Sequence, residues 1–204
     1  ETTEALELTL VPFGLSAGTM TDFDLAQIPD NTLDFPDIFF QDLDSVFVME
    51  LPVPAGSPRL VVDILESESP DLDMVVIYDN DDDGVPELSD TVHPYCQSAA
   101  GGPFEYCDIA EPDEGTWFVM VLNFTASGEG AVDTSTVATA VVSPDDLGNT
   151  TFEAPTSVPT LVPFDIRLFW DIPEMVAGDR YYGAFSIGTS SESPGDIGLI
   201  PVDL

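Results

Sequence analysis

The chain has 204 residues, 44% of them hydrophobic, enough apolar material for a packed core and too much for a disordered chain. It carries 39 acidic residues against three arginines (Arg59, Arg167, Arg180) and no lysine, a formal charge of −36. Such a surface repels phosphate, which argues against nucleic acid and anionic membranes as partners, and it attracts divalent cations. The longest apolar run, WFVMVL, is far short of the roughly 18 residues a spanning helix needs, so no membrane insertion is expected. The chain opens on ETTEALEL, with neither Met nor a basic leader, and reads as a mature or excised piece of one large or two small domains.

Helix signals are nearly absent. Eighteen prolines and fifteen glycines punctuate short alternating runs of β-branched and aromatic residues, which predicts an all-β chain. In chain order the predicted strands are 5–11 (ALELTLV), 45–51 (SVFVMEL), 59–65 (RLVVDIL), 73–79 (DMVVIYD), 116–124 (TWFVMVLNF) and 134–142 (TSTVATAVV). After a turn-rich break at 141–149 come 149–158, 163–172, 180–189 and 196–204. Residues 12–41 show weak periodicity and read as mostly irregular connection. The expected organisation is therefore 1–41 as an N-terminal strand and connection, 42–143 as a β-sandwich and 144–204 as a smaller β unit. The last is thin for a sandwich of its own, and the strand around Leu6–Val11 is a candidate to complete it.

The stretch 79–90 reads DNDDDGVPELSD. Asp79, Asp81 and Asp83 alternate, Gly84 follows, and Val85 (through its carbonyl), Glu87 and Asp90 fall at the seventh, ninth and twelfth positions. Calcium takes 6–8 oxygens at about 2.3–2.6 Å, and alternate positions of a tight turn aim oxygens inward while glycine permits the bend. The residues thus predict a Ca2+ loop entered from a strand, against the blander reading of a solvated acidic hairpin. Magnesium fits less well, because it holds a smaller octahedral shell and keeps its waters. Asp71 and Asp73 read as turn caps, with a metal role as the alternative, and Asp22, Asp24, Asp30, Asp34 and Asp37 form a looser acidic region, a lesser candidate for a second ion.

Cys96 and Cys107 are the only cysteines and read as one disulfide, hence as export from the cytoplasm; two buried free thiols are the alternative. GLSAG (14–18) matches a nucleophile pattern around Ser16, but no helix follows it as that pattern requires, and a glycine-flanked turn is the better reading. His93 has no second histidine to share a metal or a triad with. No catalytic constellation is credible, and the chain is expected not to be an enzyme. Neighbouring aromatics on strands point to opposite faces, so Trp117, Trp170 and Tyr181 are candidate contacts for an insoluble protein or a polysaccharide. The sequons at Asn123 and Asn149 would matter only in a eukaryotic secretory route.

Residues 42–142 resemble the bacterial pre-peptidase C-terminal domain. The resemblance rests on Asp42 and Asp44 before a strand, VPAG (53–56), DLDMVVIYD (71–79) and PDEGTWFVMV (112–121). It departs from that family in a long insertion at 84–106. Residues 156–204 are similar to the immunoglobulin-like tail that follows this domain in some secreted subtilisin-like peptidases. The resemblance implies a jelly-roll-like β-sandwich plus a smaller immunoglobulin-like one, in an extracellular bacterial accessory region partnered with a parent peptidase catalytic domain.

Overall fold

A computed structural model of the chain describes residues 6–159 and 162–204. Among them fifteen strands run, in order, as β1 (Leu6–Glu7), β2 (Thr9–Ala17), β3 (Thr19–Ala26), β4 (Val46–Val53), β5 (Arg59–Ser67), β6 (Asp71–Tyr78), β7 (Cys96–Ser98) and β8 (Tyr106–Ala110). They continue as β9 (Gly115–Thr125), β10 (Val132–Val141), β11 (Thr150–Glu153), β12 (Ser157–Val158), β13 (Arg167–Trp170), β14 (Tyr181–Gly188) and β15 (Gly198–Asp203). The chain divides into two compact units, Thr19–Val141 and Glu1–Gly18 with Val142–Leu204.

The larger unit is a sandwich of two antiparallel four-stranded sheets, ordered β3-β10-β5-β8 and β4-β9-β6-β7. Successive strands change sheet at every step except β6 to β7, which is the strand order of a jelly roll. Period-2 alternation sends Leu60, Val62 and Ile64 of β5, Met74 and Val76 of β6, and Trp117, Val119 and Val121 of β9 into the inner core. The intervening Val75 and Ile77 of β6 and Phe118, Met120 and Leu122 of β9 are buried as well, on the outer face. There they are covered by Ile28, Ile38 and Phe39, the last two from a short 3-10 turn at Asp37–Phe40. Strands covered on both faces cannot alternate apolar with polar, which explains the unbroken runs MVVIY and WFVMVL.

This covering segment corrects the reading of residues 12–41 as mostly irregular. β2 runs on to Ala17, and β3 is a full strand of the larger unit. Its inward residues Phe23 and Leu25 are buried, whereas Asp22 and Asp24 point outward and accept hydrogen bonds from the Thr136 and Thr134 hydroxyls, 2.7 Å each. Aspartate is a poor strand former, so the alternation was masked by its own polar half. A division at residue 41 therefore differs from the observed one at Gly18/Thr19.

The smaller unit holds a three-stranded sheet ordered β15-β14-β2 and the two-stranded ribbons β11-β13 and β1-β12. β2 pairs with β14 from Tyr181↔Ala17 to Gly188↔Thr9, so the N-terminal strand closes a sheet with the C-terminal ones. Residue 5, the start of the first predicted strand, lies outside the described residues. Among the described residues β2 is an edge of this sheet, and the Asn149 side chain extends it there, accepting from the Leu15 amide at 2.9 Å and donating to the Leu15 carbonyl at 2.8 Å. Leu15, Ile172 and Tyr181 form a buried cluster in it, with Val202 and Leu204 packed against them. Two predicted strands are shorter than expected. Ala154 to Thr156 separate β11 from β12, and Arg167–Trp170 is all that remains of 163–172.

Candidate metal centre

The acidic turn hangs from the most deeply buried strand of the sandwich. β6 ends at Tyr78, and the Asp79 amide adds one more bond to the sheet, to the Thr116 carbonyl at 2.9 Å. Asp79 itself is buried, and its two carboxylate oxygens accept from the Asp83 amide (3.3 Å) and the Gly84 amide (3.0 Å). Asp82 (φ 58°) and Gly84 (φ 76°) both occupy the left-handed region, which turns the chain back on itself. Asp83 Oδ1 in turn accepts from the Val85 amide at 2.8 Å.

One carboxylate oxygen each from Asp79, Asp81 and Asp83 lies within 4.8 Å of the other two. Oxygens held at about 2.4 Å around one ion are at most about 4.8 Å apart, so the three fit a single calcium shell. Uncompensated, each like-charge pair at that separation costs about 1 kcal/mol in water and several-fold more near a protein surface. Asp81 and Asp83 are exposed, so their remaining lone pairs face solvent, as a site completed by water requires.

Glu87 and Asp90 have other duties. Asp90 is buried; its Oδ1 accepts from the Asn80 amide and its Oδ2 from the Glu87 amide, both at 3.0 Å. Glu87 and Asp90 form a reciprocal capping box on the 3-10 turn Leu88–Val92. The far end of the loop is thus closed by hydrogen bonds to backbone amides, and these two carboxylates lie outside the converging set. Val85 is half exposed and contributes its amide to Asp83.

The base of the loop is clamped by residues whose part the sequence did not suggest. His93 Nε2 lies 2.9 Å from Asp113 Oδ2, and its ring packs 4.8 Å from Tyr78 and 6.0 Å from Trp117. The Tyr78 hydroxyl donates to the Glu114 carbonyl at 3.1 Å, and Trp117 Nε1 to the Asp113 carbonyl at 3.0 Å. Gly115 (φ 140°) passes directly over the Tyr78 ring, where a Cβ would come within 2.9 Å of it. Only the x-x-G of PDEGTW hints at this close approach.

Cys96 and Cys107 form the disulfide, with Cα atoms 5.8 Å apart. Because β7 and β8 belong to opposing sheets, the bond fastens the two layers of the sandwich together at one edge. It does more than close the 97–106 loop.

The three aromatic candidates separate. Trp170 is 49% exposed beside Phe169 on β13. Trp117 is 1% exposed and Tyr181 6%, so neither is available as a contact. The rule that one of two neighbours faces water fails where both faces are covered: Trp117 enters the inner core and Phe118 the outer one. Ser16 sits inside β2 opposite Tyr182, its hydroxyl accepting from the Ser143 amide at 3.3 Å, a strand setting and not the elbow of a nucleophile. Asn123 is fully buried and bonded to Ser69, Leu25 and Asp133, which leaves no amide free for a glycan.

No known family matches the sequence, and no curated protein does either.

Proposed function

We propose that this chain is a non-catalytic, calcium-stabilised accessory region of a secreted bacterial subtilisin-like peptidase, serving its secretion, stability or contact with substrate. The observation that carries the calcium part is the convergence of Asp79, Asp81 and Asp83 on a turn tied down at both ends. The peptidase part rests on the resemblance to the pre-peptidase C-terminal domain, and each of its motifs has a structural job. Asp42 caps the 3-10 turn ahead of β4, accepting from the Asp44 amide at 3.3 Å and the Ser45 hydroxyl at 2.7 Å. VPAG makes the β4–β5 turn with Gly56 at φ 74°, DLDMVVIYD is β6, and PDEGTWFVMV leads into β9. A disulfide across the sandwich edge suits an oxidising compartment.

The test is the parent reading frame together with the activity of the purified chain. An upstream domain carrying a subtilisin-type Asp, His and Ser is expected, with no peptide hydrolysis by this chain alone. Hydrolysis by the purified chain would overturn the reading. A second reading, a binding module for insoluble protein or polysaccharide, is favoured by one observation, the exposed Trp170–Phe169 pair. It requires retention on insoluble collagen or polysaccharide that Trp170→Ala abolishes.

A further inference from the structure

The smaller unit leaves two of its strands side by side and unjoined. Among the described residues β2 pairs with β14 alone and β11 with β13 alone, although β2 and β11 run alongside one another. Both ends of this seam are fastened. At one end Asn149 holds the Leu15 amide and carbonyl, and at the other the Leu8 amide donates to the Thr156 carbonyl at 3.1 Å. Between the fastenings the seam opens into a groove of about 410 Å³, with Leu8, Leu10 and Pro12 on one wall and Thr150, Phe152 and Thr156 on the other. That volume falls within the roughly 300–1,000 Å³ of small-molecule sites.

The chemistry of the groove differs from that of the chain as a whole. The chain carries 39 acidic residues, yet among the described residues that line the groove none is charged. Phe152 is braced from behind by Phe185, with ring centroids 4.6 Å apart. Thr150 is 8% exposed, and its hydroxyl oxygen is buried without a hydrogen-bond partner. A polar atom left in that state is costly. One χ1 step trades hydroxyl for methyl at the wall, where a ligand hydroxyl can meet it. Trp170 stands directly opposite Thr150 in the β11–β13 register, shares its face of the ribbon and is half exposed.

These features separate the occupants a seam between strand edges could take. A peptide adding as a strand would draw amides from both walls, but Pro12 and Pro155, which both line the groove, have none. The hydrogen bonds at the two ends also close the seam to a strand passing through. An anionic ligand would approach a chain of charge −36 and find no cation in the lining. A neutral sugar chain answers the lining on both counts: its C–H faces suit Leu10, Pro12, Phe152 and the Trp170 ring, and its hydroxyls suit Thr150 and Thr156. We propose that the groove between β2 and β11 binds an uncharged polysaccharide, with Trp170 as an aromatic platform at its flank. The proposal rests on the binding-module reading given above and adds to it the site and the class of ligand. β13 lies one strand spacing, about 4.8 Å, beyond β11, so a ligand that reaches both groove and Trp170 is longer than a single sugar ring.

Calorimetric titration of the whole chain with cellohexaose, laminarihexaose and chitohexaose, and with hexagalacturonate as the charged control, tests this. Binding of at least one neutral hexamer is expected, and none of hexagalacturonate. Ala154→Arg, which puts a long side chain into the groove, and Trp170→Ala should each weaken that binding about tenfold or more. Thr150→Val separates a ligand contact from a merely structural one. It deletes an unpartnered hydroxyl at nearly constant shape, so the melting temperature should hold or rise while affinity falls about threefold or more. Loss on Trp170→Ala, with Ala154→Arg and Thr150→Val unchanged, would leave the binding-module reading standing and overturn the groove. Retention on insoluble collagen without uptake of any hexamer would do the same. Failure to bind any neutral hexamer, or equal uptake of the charged one, also overturns the proposal.

Discussion

Asp79 and Asp90 are both buried carboxylates of the same turn, yet they hold it in different ways. Asp79 accepts two amides from within the turn and also joins the converging set, whereas Asp90 ties the ends of the loop together through Asn80 and Glu87. Removing a buried acceptor strands its donors at about 1–3 kcal/mol. Asp90→Ala is thus expected to destabilise the chain by that amount and to leave the calcium response in place, measured by urea unfolding with and without calcium. Asp81→Asn and Asp83→Asn should behave in the opposite way, with little change in the chelator-treated protein and loss of the calcium response. The spacing of these acids was legible in the sequence because alternate residues on a bend have a geometric consequence. Which carboxylates would turn toward backbone amides was not, since ligand and cap use the same side chain. The His93–Asp113 clamp joins residues twenty positions apart, and no local pattern announces it.

At the level of elements, burial on both faces separates the strands that sequence shows clearly from those it hides. β6 and β9 stand out as continuous apolar runs, and β4, β5, β10, β14 and β15 fall close to their predicted places. β3 was hidden by Asp22 and Asp24, and β7, inside the 84–106 insertion, and β8, which follows it, are short strands joined by the disulfide. Replacing both cysteines with serine removes a cross-link closing a span of 11 residues, worth about 3 kcal/mol by chain entropy. Chemical denaturation should show a loss of that size. Tryptophan substitutions provide the contrast: Trp117→Ala in the inner core is expected to cost about 3–5 kcal/mol. Trp170→Ala, half exposed on its ribbon, should stay within about 0.5 kcal/mol. Comparable losses at the two positions would contradict their burial.

For the whole molecule, the charge of −36 dominates. Self-repulsion reaches farther in dilute salt, where the Debye length is about 30 Å at 0.01 M against about 3 Å at 1 M. The melting temperature is therefore expected to climb with added sodium chloride. The pH response has its own direction. Burial raises Asp73 in the folded state, so its contribution is complete below the ordinary carboxylate range near 4 and is lost as pH rises through about 7. Melting temperature should fall over that window, and Asp73→Asn should flatten the fall. The proposed calcium site would act on the same scale by mass action: a hundredfold excess over its Kd would add about 2.7 kcal/mol.

The turn at Asp79–Asp83 carries the account, and calorimetric titration of calcium into chelator-stripped protein tests it most directly. One ion per chain is the predicted result, with uptake abolished in the Asp81→Asn, Asp83→Asn double variant and retained in Asp90→Ala. An absence of calcium uptake by the wild-type chain, or uptake unchanged in the double variant, would contradict it.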